Sequence, residues 1–365
     1  MKKVMHIVGA RPNFMKVAPI MAAMRNQGFV QSLVHTGQHY DAQLSKIFFE
    51  ELQIPRPDID LNIGAGSHAE QTGRMMIALE KVFQSEAPDL VVVVGDVNST
   101  LAASVTAAKL GIKIAHVEAG LRSFDRTMPE EINRIVTDAL SDLLFTTEQS
   151  GNENLLREGV AQGKIFFVGN VMIDTLLRCR EQARRSDILA RLQLGPQAYA
   201  VLTLHRPSNV DQPQQLQHIC CILHKVGRYM PIVFPCHPRT EKRLQMLGLN
   251  LHTAADTTST GIILQPPLGY LDFLHLMSQA KFVLTDSGGV QEETTILGVP
   301  CLTLRDNTER PVTLSEGTNV LVGNSEELIL AEVAKILAGQ GKQGQIPTLW
   351  DGQAAVRIAE TLQHI

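Results

Sequence analysis

The sequence predicts an α/β protein built from two doubly wound parallel sheets in succession. Three observations carry that expectation. Short apolar runs alternate with longer amphipathic stretches. The alternation breaks once, over a charged stretch from Glu181 to Leu194 that ends in Gly195-Pro196, and then restarts. Glycines and ionisable residues gather just after the apolar runs in both halves. Alternating strand and helix patterns mark a parallel sheet covered by helices on both faces. The 365 residues accommodate two such domains, since one domain takes about 100–200 residues.

Taken in order, Val4 to Val8 reads as a buried strand and Phe14 to Met24 as a helix kinked at Pro19. A second strand is expected from Val30 to Thr36, a second helix from Asp41 to Leu52, and a long helix with a polar start from Ser67 to Phe83. Leu90 to Val94 is uninterrupted and apolar, as a parallel strand buried on both faces should be. Strands are expected next at 113–117, 143–146 and 165–168, with helices between them. After the break, runs at 199–204, 231–236, 262–264, 282–284 and 299–302 repeat the rhythm. The domains are expected at 1–172 and 173–353. A last helix, from Ala354 to Gln363, follows a Gly/Pro-containing stretch and can pack on either domain. No repeat period or low-complexity segment is present.

Composition narrows the function classes. A hydrophobic fraction of 44% with 19% charged residues fits a soluble globular chain. Lys plus Arg is 33 and Asp plus Glu is 37, a formal charge of −4. That balance argues against a broad basic face for nucleic acid, but allows a small anionic ligand held by a few local cations. The five cysteines show no CxxC spacing, which argues against a disulfide framework or a zinc site. The basic start, Met1-Lys2-Lys3, leads into no long apolar stretch of a signal peptide. No run reaches the ~20 apolar residues of a membrane span. A cytoplasmic protein, with neither membrane nor nucleic acid as partner, is expected.

Ligands of open α/β sheets bind beyond the carboxyl ends of the strands. The residues that stand there are Gly9-Ala10-Arg11-Pro12-Asn13 with Lys16, Gly95-Asp96, and His116-Val117-Glu118-Ala119-Gly120 in the first half. In the second half they are His205-Arg206-Pro207, His237-Pro238-Arg239 and Asp286-Ser287-Gly288-Gly289. Any one glycine reads equally as a turn, any one Asp as a helix cap, any one His as a structural residue. Six such sites together point to a cleft between the halves. Ser287-Gly288-Gly289 opens a helix, a place where N–H groups and the helix dipole favour a phosphate or diphosphate. Gln291, Glu292 and Glu293 follow in the first turns; the dipole accounts for carboxylates there, as does a role in accepting sugar hydroxyls. Arg305 and Arg310 can bring a cation to the same phosphate, and Arg11 and Lys16 to the opposite end.

Other motif matches carry less. Gly64-Ala65-Gly66-Ser67-His68-Ala69 fits a dinucleotide GxGxxG/A pattern without a clear buried strand before it. Gly159 to Lys164 is one residue short of a Walker loop. Asp58-Ile59-Asp60 resembles a metal-binding DxD in a loop with no phosphate context, and no metal is expected. His35 and His39 frame a strand-to-helix turn, where ligand contact and capping stand as equal readings.

Taken together, these strings resemble the non-hydrolysing UDP-N-acetylglucosamine 2-epimerases. They include Gly9-Ala10-Arg11-Pro12, Thr36-Gly37-Gln38-His39, Gly95-Asp96, and His116 through Arg122. Pro129-Glu130-Glu131-Ile132-Asn133-Arg134, His205-Arg206, His237-Pro238, Asp286 through Glu293, and Thr308-Glu309-Arg310-Pro311 complete the set, in the family's order along the chain. The resemblance implies two Rossmann-like domains in a glycosyltransferase-B-like arrangement, with helix 354–365 returning to the first domain and UDP bound by the second. It implies reversible C2 inversion of a UDP-2-acetamido sugar, UDP-GlcNAc to UDP-ManNAc, with no nicotinamide and no metal. It also implies a homodimer. Direct removal of the C2 proton would leave an unstabilised carbanion, and the family is understood to eliminate UDP to a 2-acetamidoglucal and add it back.

By position, Asp96, Glu118 and Glu130 resemble the family's proton-transfer carboxylates, and His205 the histidine near the leaving group. Arg11, Lys16, His237, Ser287, Gly288, Gly289 and Arg310 resemble the UDP-sugar-binding set, and Glu293 the ribose-binding carboxylate. Ala10 and the sequence Pro207-Ser208-Asn209 depart from many members. The first loop is similar to that of relatives acting on modified UDP-sugars such as diacetamido uronic acids. Alternatives on the same fold are a glycosyltransferase, a hydrolysing epimerase, or a nucleotide-sugar sensor without turnover.

Overall fold

The computed structural model describes residues 1–37, 56–247, 252–253 and 261–364. The expected helix 41–52 and the residues Gln38 and His39 lie outside them. The chain divides into two compact units, one formed by Met1–Arg178 with Thr348–Ile365, the other by Cys179–Pro347. Each contains a fully parallel sheet.

In the first unit the strands are β1 (Lys2–Val8), β2 (Phe29–His35), β3 (Ile59–Asp60), β4 (Leu90–Val94), β5 (Lys113–Ala119), β6 (Leu143–Thr146) and β7 (Ile165–Phe167). Their order is β3-β2-β1-β4-β5-β6-β7. The period of two explains the sheet's two cores. Val92 and Val94 join Val4, Ala115 and Val117 on one face, while Val91 and Val93 join Met5 and Ile7 on the other. Each such side chain contributes roughly 1.5–3 kcal/mol on full burial, so β4, buried at all five positions, anchors the sheet. The C-terminal helix Ala354–Gln363 places Ile358, Ala359 and Leu362 in the first of these cores. Its opening amides at Ala354 and Ala355 donate to Asp174 at 3.2 and 2.7 Å, and Trp350 donates its indole N–H to the Thr147 carbonyl at 2.9 Å.

The second unit holds β8 (Ala200–Thr203), β9 (Ile232–Pro235), β10 (His252–Thr253), β11 (Ile262–Gln265), β12 (Phe282–Thr285), β13 (Cys301–Thr303) and β14 (Asn319–Leu321). The order is β10-β11-β9-β8-β12-β13-β14. Ala200, Leu202, Phe234, Phe282 and Leu284 meet Ile219, Leu223 and Val333 from the helices in one core.

Three strands, β3, β10 and β14, escape the sequence pattern: β3 and β10 have two residues, too few to show a period, and β14 is a three-residue strand at a sheet's edge. β3 explains the Asp58-Ile59-Asp60 string: Asp58 accepts the Leu33 amide at 2.7 Å and Asp60 the Asn62 amide at 3.1 Å. These carboxylates pin an edge strand. The GxGxxG-like string is a helix start, with Ser67 and Glu70 forming a reciprocal capping box. Pro19 lies within the helix Arg11–Ala23. Its missing N–H leaves the Met15 carbonyl without a helical donor, and the Thr175 hydroxyl donates there instead at 2.6 Å.

Candidate active site

The expected site residues of the first unit stand at the carboxyl ends of β1, β4 and β5. The helix beginning at Arg11 presents Asn13 and Lys16, both buried. Asn13 accepts from the amides of Gly9 and Ala10 at 3.2 and 2.9 Å and donates to the Val94 carbonyl at 2.8 Å, tying the first loop to β4. Lys16 forms a buried ion pair with Glu118. Gly95 has φ +69°, and a Cβ there would sit 3.0 Å from the Lys16 ammonium and 3.4 Å from the Glu118 carboxylate. The bare backbone lets both approach.

Glu118 has φ +75°, a left-handed conformation that costs a non-glycine residue about 1–3 kcal/mol. The cause lies in the sheet. The β5–β6 register shifts between Val117 and Ala119, so Glu118 is a bulge that re-aims its side chain. This is why β5 continues past the expected Val117.

The helix Pro129–Leu140 turns a charged face inward. Glu131, Asn133, Arg134, Thr137 and Asp138 are buried, while Ile132 is exposed. Arg134 bonds Asp96 at 2.6 Å and Glu131 at 2.7 Å. Glu131 also accepts the Ser123 and Phe124 amides at 2.9 Å. Burial raises the Glu131 pKa, but the Ser123 amide and Arg134 outweigh it and hold the carboxyl below its ordinary value. Asp138 is more enclosed still. It meets His116 Nδ1 at 2.6 Å, Arg122 Nη1 at 2.7 Å and the Gly120 amide at 3.1 Å. Burial again opposes ionisation, and His116 and Arg122 prevail. Glu130, half-buried, lies in the first turn of the same helix.

In the second unit, Asp286 directly follows β12, with no exposed surface. Its carboxylate accepts the His205 amide at 3.1 Å, the Arg206 amide at 3.0 Å and Asn209 Nδ2 at 3.1 Å. His205 Nδ1 lies 2.8 Å from it, with the His205 side chain 59% exposed. Burial raises the Asp286 pKa, but these partners, His205 foremost, pull it below the usual value. The carboxylate therefore accepts, and Nδ1 donates.

Ser287 precedes the helix Gly288–Leu297, whose first N–H groups are those of Gly288 and Gly289. A Cβ on Gly288 would collide with the Arg310 guanidinium and lie 2.9 Å from Glu309. Arg310 is itself held by Glu292 at 2.6 Å and Glu309 at 2.5 Å. Glu309 also meets Arg305 at 2.8 Å and Arg206 at 3.5 Å. Burial notwithstanding, these arginines keep Glu309 well below the ordinary carboxylate range. Glu293 is the opposite case. Burial, opposed only by the Tyr270 hydroxyl bond at 2.9 Å and reinforced by Glu292, raises it to about 7. His237 is exposed, its carbonyl accepting the Thr240 and Glu241 amides at the start of the next helix.

The expected residues thus form two sets. Lys16 and Glu118 meet beside Gly95, the residue before Asp96, and Arg134 holds Asp96 itself. His205, Ser287, Gly288 and Arg310 are joined through Asp286 and Glu309. The connecting residues Asp138, Arg134, Glu131 and Glu309 had no assigned role in the sequence reading. Positions 131, 134 and 138 share one helical face, and a charged inward face was the signal available for them. Among the described residues, no group of three or more His, Cys, Asp or Glu is placed to hold a metal ion. Nor is any helix long and apolar enough to cross a membrane.

The family model described as UDP-N-acetylglucosamine 2-epimerase matches residues 21–363. The chain is 45% identical, over 98% of each sequence, to UDP-N-acetylglucosamine 2-epimerase of Methanocaldococcus jannaschii. It is 42% identical, over the full length of both, to UDP-2,3-diacetamido-2,3-dideoxy-D-glucuronate 2-epimerase of Pseudomonas aeruginosa. The crystal structure of the M. jannaschii UDP-GlcNAc 2-epimerase in complex with UDP-GlcNAc and UDP superposes with a TM-score of 0.91, at 44% identity and full coverage of both chains.

Proposed function

This chain belongs to the UDP-N-acetylglucosamine 2-epimerase family, and on that premise we propose that it reversibly inverts C2 of a UDP-2-acetamido sugar, UDP-GlcNAc to UDP-ManNAc. The observation that carries the reading is Glu118. A carboxylate held on a strained bulge against Lys16, beside Asp96 on its Arg134 tether, is a place prepared for proton transfer.

The reaction divides into two halves. A carboxylate of the Asp96, Glu118, Glu130 set takes the C2 proton while the bond from C1 to the diphosphate oxygen breaks. The C2–H electron pair becomes the C1=C2 double bond, and UDP departs with the C1–O pair. A proton then enters C2 from the other face, and the diphosphate oxygen re-bonds C1. Negative charge grows on the diphosphate as it leaves. The Gly288–Gly289 helix start and His205 meet that charge, with Arg310 behind them in its carboxylate frame. Glu293 receives the ribose hydroxyls, and His237 lies on the same edge of its sheet. The unit Met1–Arg178 with Thr348–Ile365 serves proton transfer, and the unit Cys179–Pro347, a little shorter at both ends than the expected 173–353, serves UDP.

The diacetamido-glucuronate epimerase is nearly as similar as the UDP-GlcNAc enzyme, so a 3-acetamido uronate is the second substrate reading. Purified protein incubated with a panel of UDP-sugars in heavy water tests both. The expected result is a new UDP-sugar carrying deuterium at C2, without an acceptor. Free UDP with free ManNAc would indicate hydrolysis, and product without C2 deuterium would refute the elimination route. The working form is a cytoplasmic homodimer, checked by light scattering and fractionation.

A further inference from the structure

We propose that His116, a residue out of reach of any ligand, is a positioning residue that locks Asp96 and Glu118 into one frame, and that it does so by donating from both ring nitrogens at once. This inference rests on the epimerase reading above for its effect on turnover.

His116 has no exposed surface, so it cannot touch substrate. It stands on β5 two residues before the Glu118 bulge. Nδ1 lies 2.6 Å from Asp138 Oδ1, and Nε2 lies 2.9 Å from the carbonyl oxygen of Gly95, the residue before Asp96. A carbonyl oxygen only accepts, so Nε2 carries a proton. Asp138 Oδ2 pairs with the Arg122 guanidinium at 2.7 Å and accepts the Gly120 amide at 3.1 Å, an arrangement suited to a carboxylate, so Oδ1 too only accepts, and Nδ1 carries the second proton. No neutral tautomer of imidazole satisfies both bonds.

The charges around the ring close. Asp138 from the helix Pro129–Leu140 bears one negative charge. Arg122, beside it, is shared with Glu158 at 2.6 Å. Two cations, His116 and Arg122, thus face two carboxylates, Asp138 and Glu158. That balance makes a buried, doubly protonated ring tenable.

Three elements meet at this ring. Through Nε2 it fixes the end of β4 at Gly95, where the chain turns with φ +69° into Asp96. Through Asp138, which also accepts the Gly120 amide, it fixes the backbone on both sides of Glu118. The strained φ of Glu118 needs surroundings that over-determine it, and a single carboxylate gripping residues 116 and 120 supplies them.

His116→Asn separates the two bonds. The Asn amide stands in for Nδ1 toward Asp138 and loses the reach to Gly95. The expected result is a fall in kcat of roughly 10- to 100-fold, with KM changed less than about threefold and C2 deuterium wash-in falling in step with kcat. A folded His116→Asn protein with kcat within about threefold of wild type would overturn the proposal. Nitrogen-15 NMR of histidine-labelled wild-type protein tests the ring directly, even where the variant does not fold. Two protonated ring nitrogens are expected for the fully buried ring, and one bare nitrogen would overturn the assignment. The NMR result is independent of which sugar, if any, the wild-type protein turns over, so failure of the epimerase reading is distinguishable from failure of this one.

Discussion

Asp286→Asn tests whether the second unit's chemistry runs through an oriented imidazole. Asp286 Oδ2 serves the Arg206 amide and Asn209 Nδ2, while Oδ1 faces His205 Nδ1 at 2.8 Å. An Asn can keep its oxygen toward the first two. Its NH2 then confronts the Nδ1–H of His205. The imidazole relieves that clash by moving its proton to Nε2 and accepting at Nδ1. One charge-assisted bond becomes a neutral one, so stability falls by about 1–1.5 kcal/mol. The larger effect is on function. In the proposed reaction the carboxylate lends its negative charge to the ring that meets the leaving diphosphate, and the neutral Asn side chain withdraws it. The same swap in a Ser-His-Asp triad costs about 10⁴ in kcat. A fall of roughly 10²- to 10⁴-fold is expected here, with His205→Asn and the double variant no worse than the more severe single change. Steady-state turnover of UDP-GlcNAc followed by chromatography, beside urea unfolding of each variant, reads both quantities. Asp286→Asn protein whose kcat stays within about threefold of wild type, while His205→Asn loses a hundredfold, would refute a role for Asp286 in orienting the imidazole.

Glu293, raised to about 7 by burial, binds its proton more tightly folded than unfolded, where its ordinary value is 4.5. Its contribution is therefore fully present below about pH 4.5 and lost as pH rises through about 7, an effect on the order of 3 kcal/mol. Urea midpoints at pH 5 and pH 8 should differ less in Glu293→Gln than in wild type, and an unchanged difference would count against this. Gly288→Ala drives a methyl into Arg310 and Glu309, so UDP binding by calorimetry should weaken at least tenfold while the first unit is unaffected. Ile358→Ala empties a fully buried position in the first unit's core and should cost about 2–5 kcal/mol. Trp350 is the single tryptophan and is buried, so its fluorescence should report that loss directly.

The sequence made the sheets legible because their central strands are long and apolar. Leu90–Val94 and Leu143–Thr146 agree with the structure to the residue. The edges were hidden because two-residue strands such as Ile59–Asp60 carry no period, and their pairing comes from a neighbour distant in sequence. The site followed the same rule. Residues that end strands, such as Asp96, Glu118 and Asp286, stand out as ionisable groups after apolar runs. Their holders do not. Asp138 reaches His116 across 22 positions and Glu309 reaches Arg206 across more than a hundred, and only packing brings such pairs together. The bulge at Glu118 was equally invisible, since nothing in Val117-Glu118-Ala119 announces a positive φ.

Both units use one device, a buried aspartate that takes backbone N–H and a histidine ring together. Asp138 takes the Gly120 amide and His116; Asp286 takes the His205 and Arg206 amides and the His205 ring. The two histidines differ in exposure, and that difference divides their labour. His116 is sealed on both nitrogens, so it can neither exchange a proton with a ligand nor change its bonds during a turnover. His205 is open on one side, so a leaving diphosphate oxygen can reach its second nitrogen. A consequence separates them experimentally. Replacing His205 should change the shape of the pH–kcat profile, because the proposed reaction brings its open nitrogen to the leaving diphosphate. Replacing His116 should lower the whole profile and keep its shape, because it loosens the frame around Asp96 and Glu118 without removing a titrating participant. Profiles that change shape in both variants, or in neither, would show that the exposure of the ring is not what sets its role.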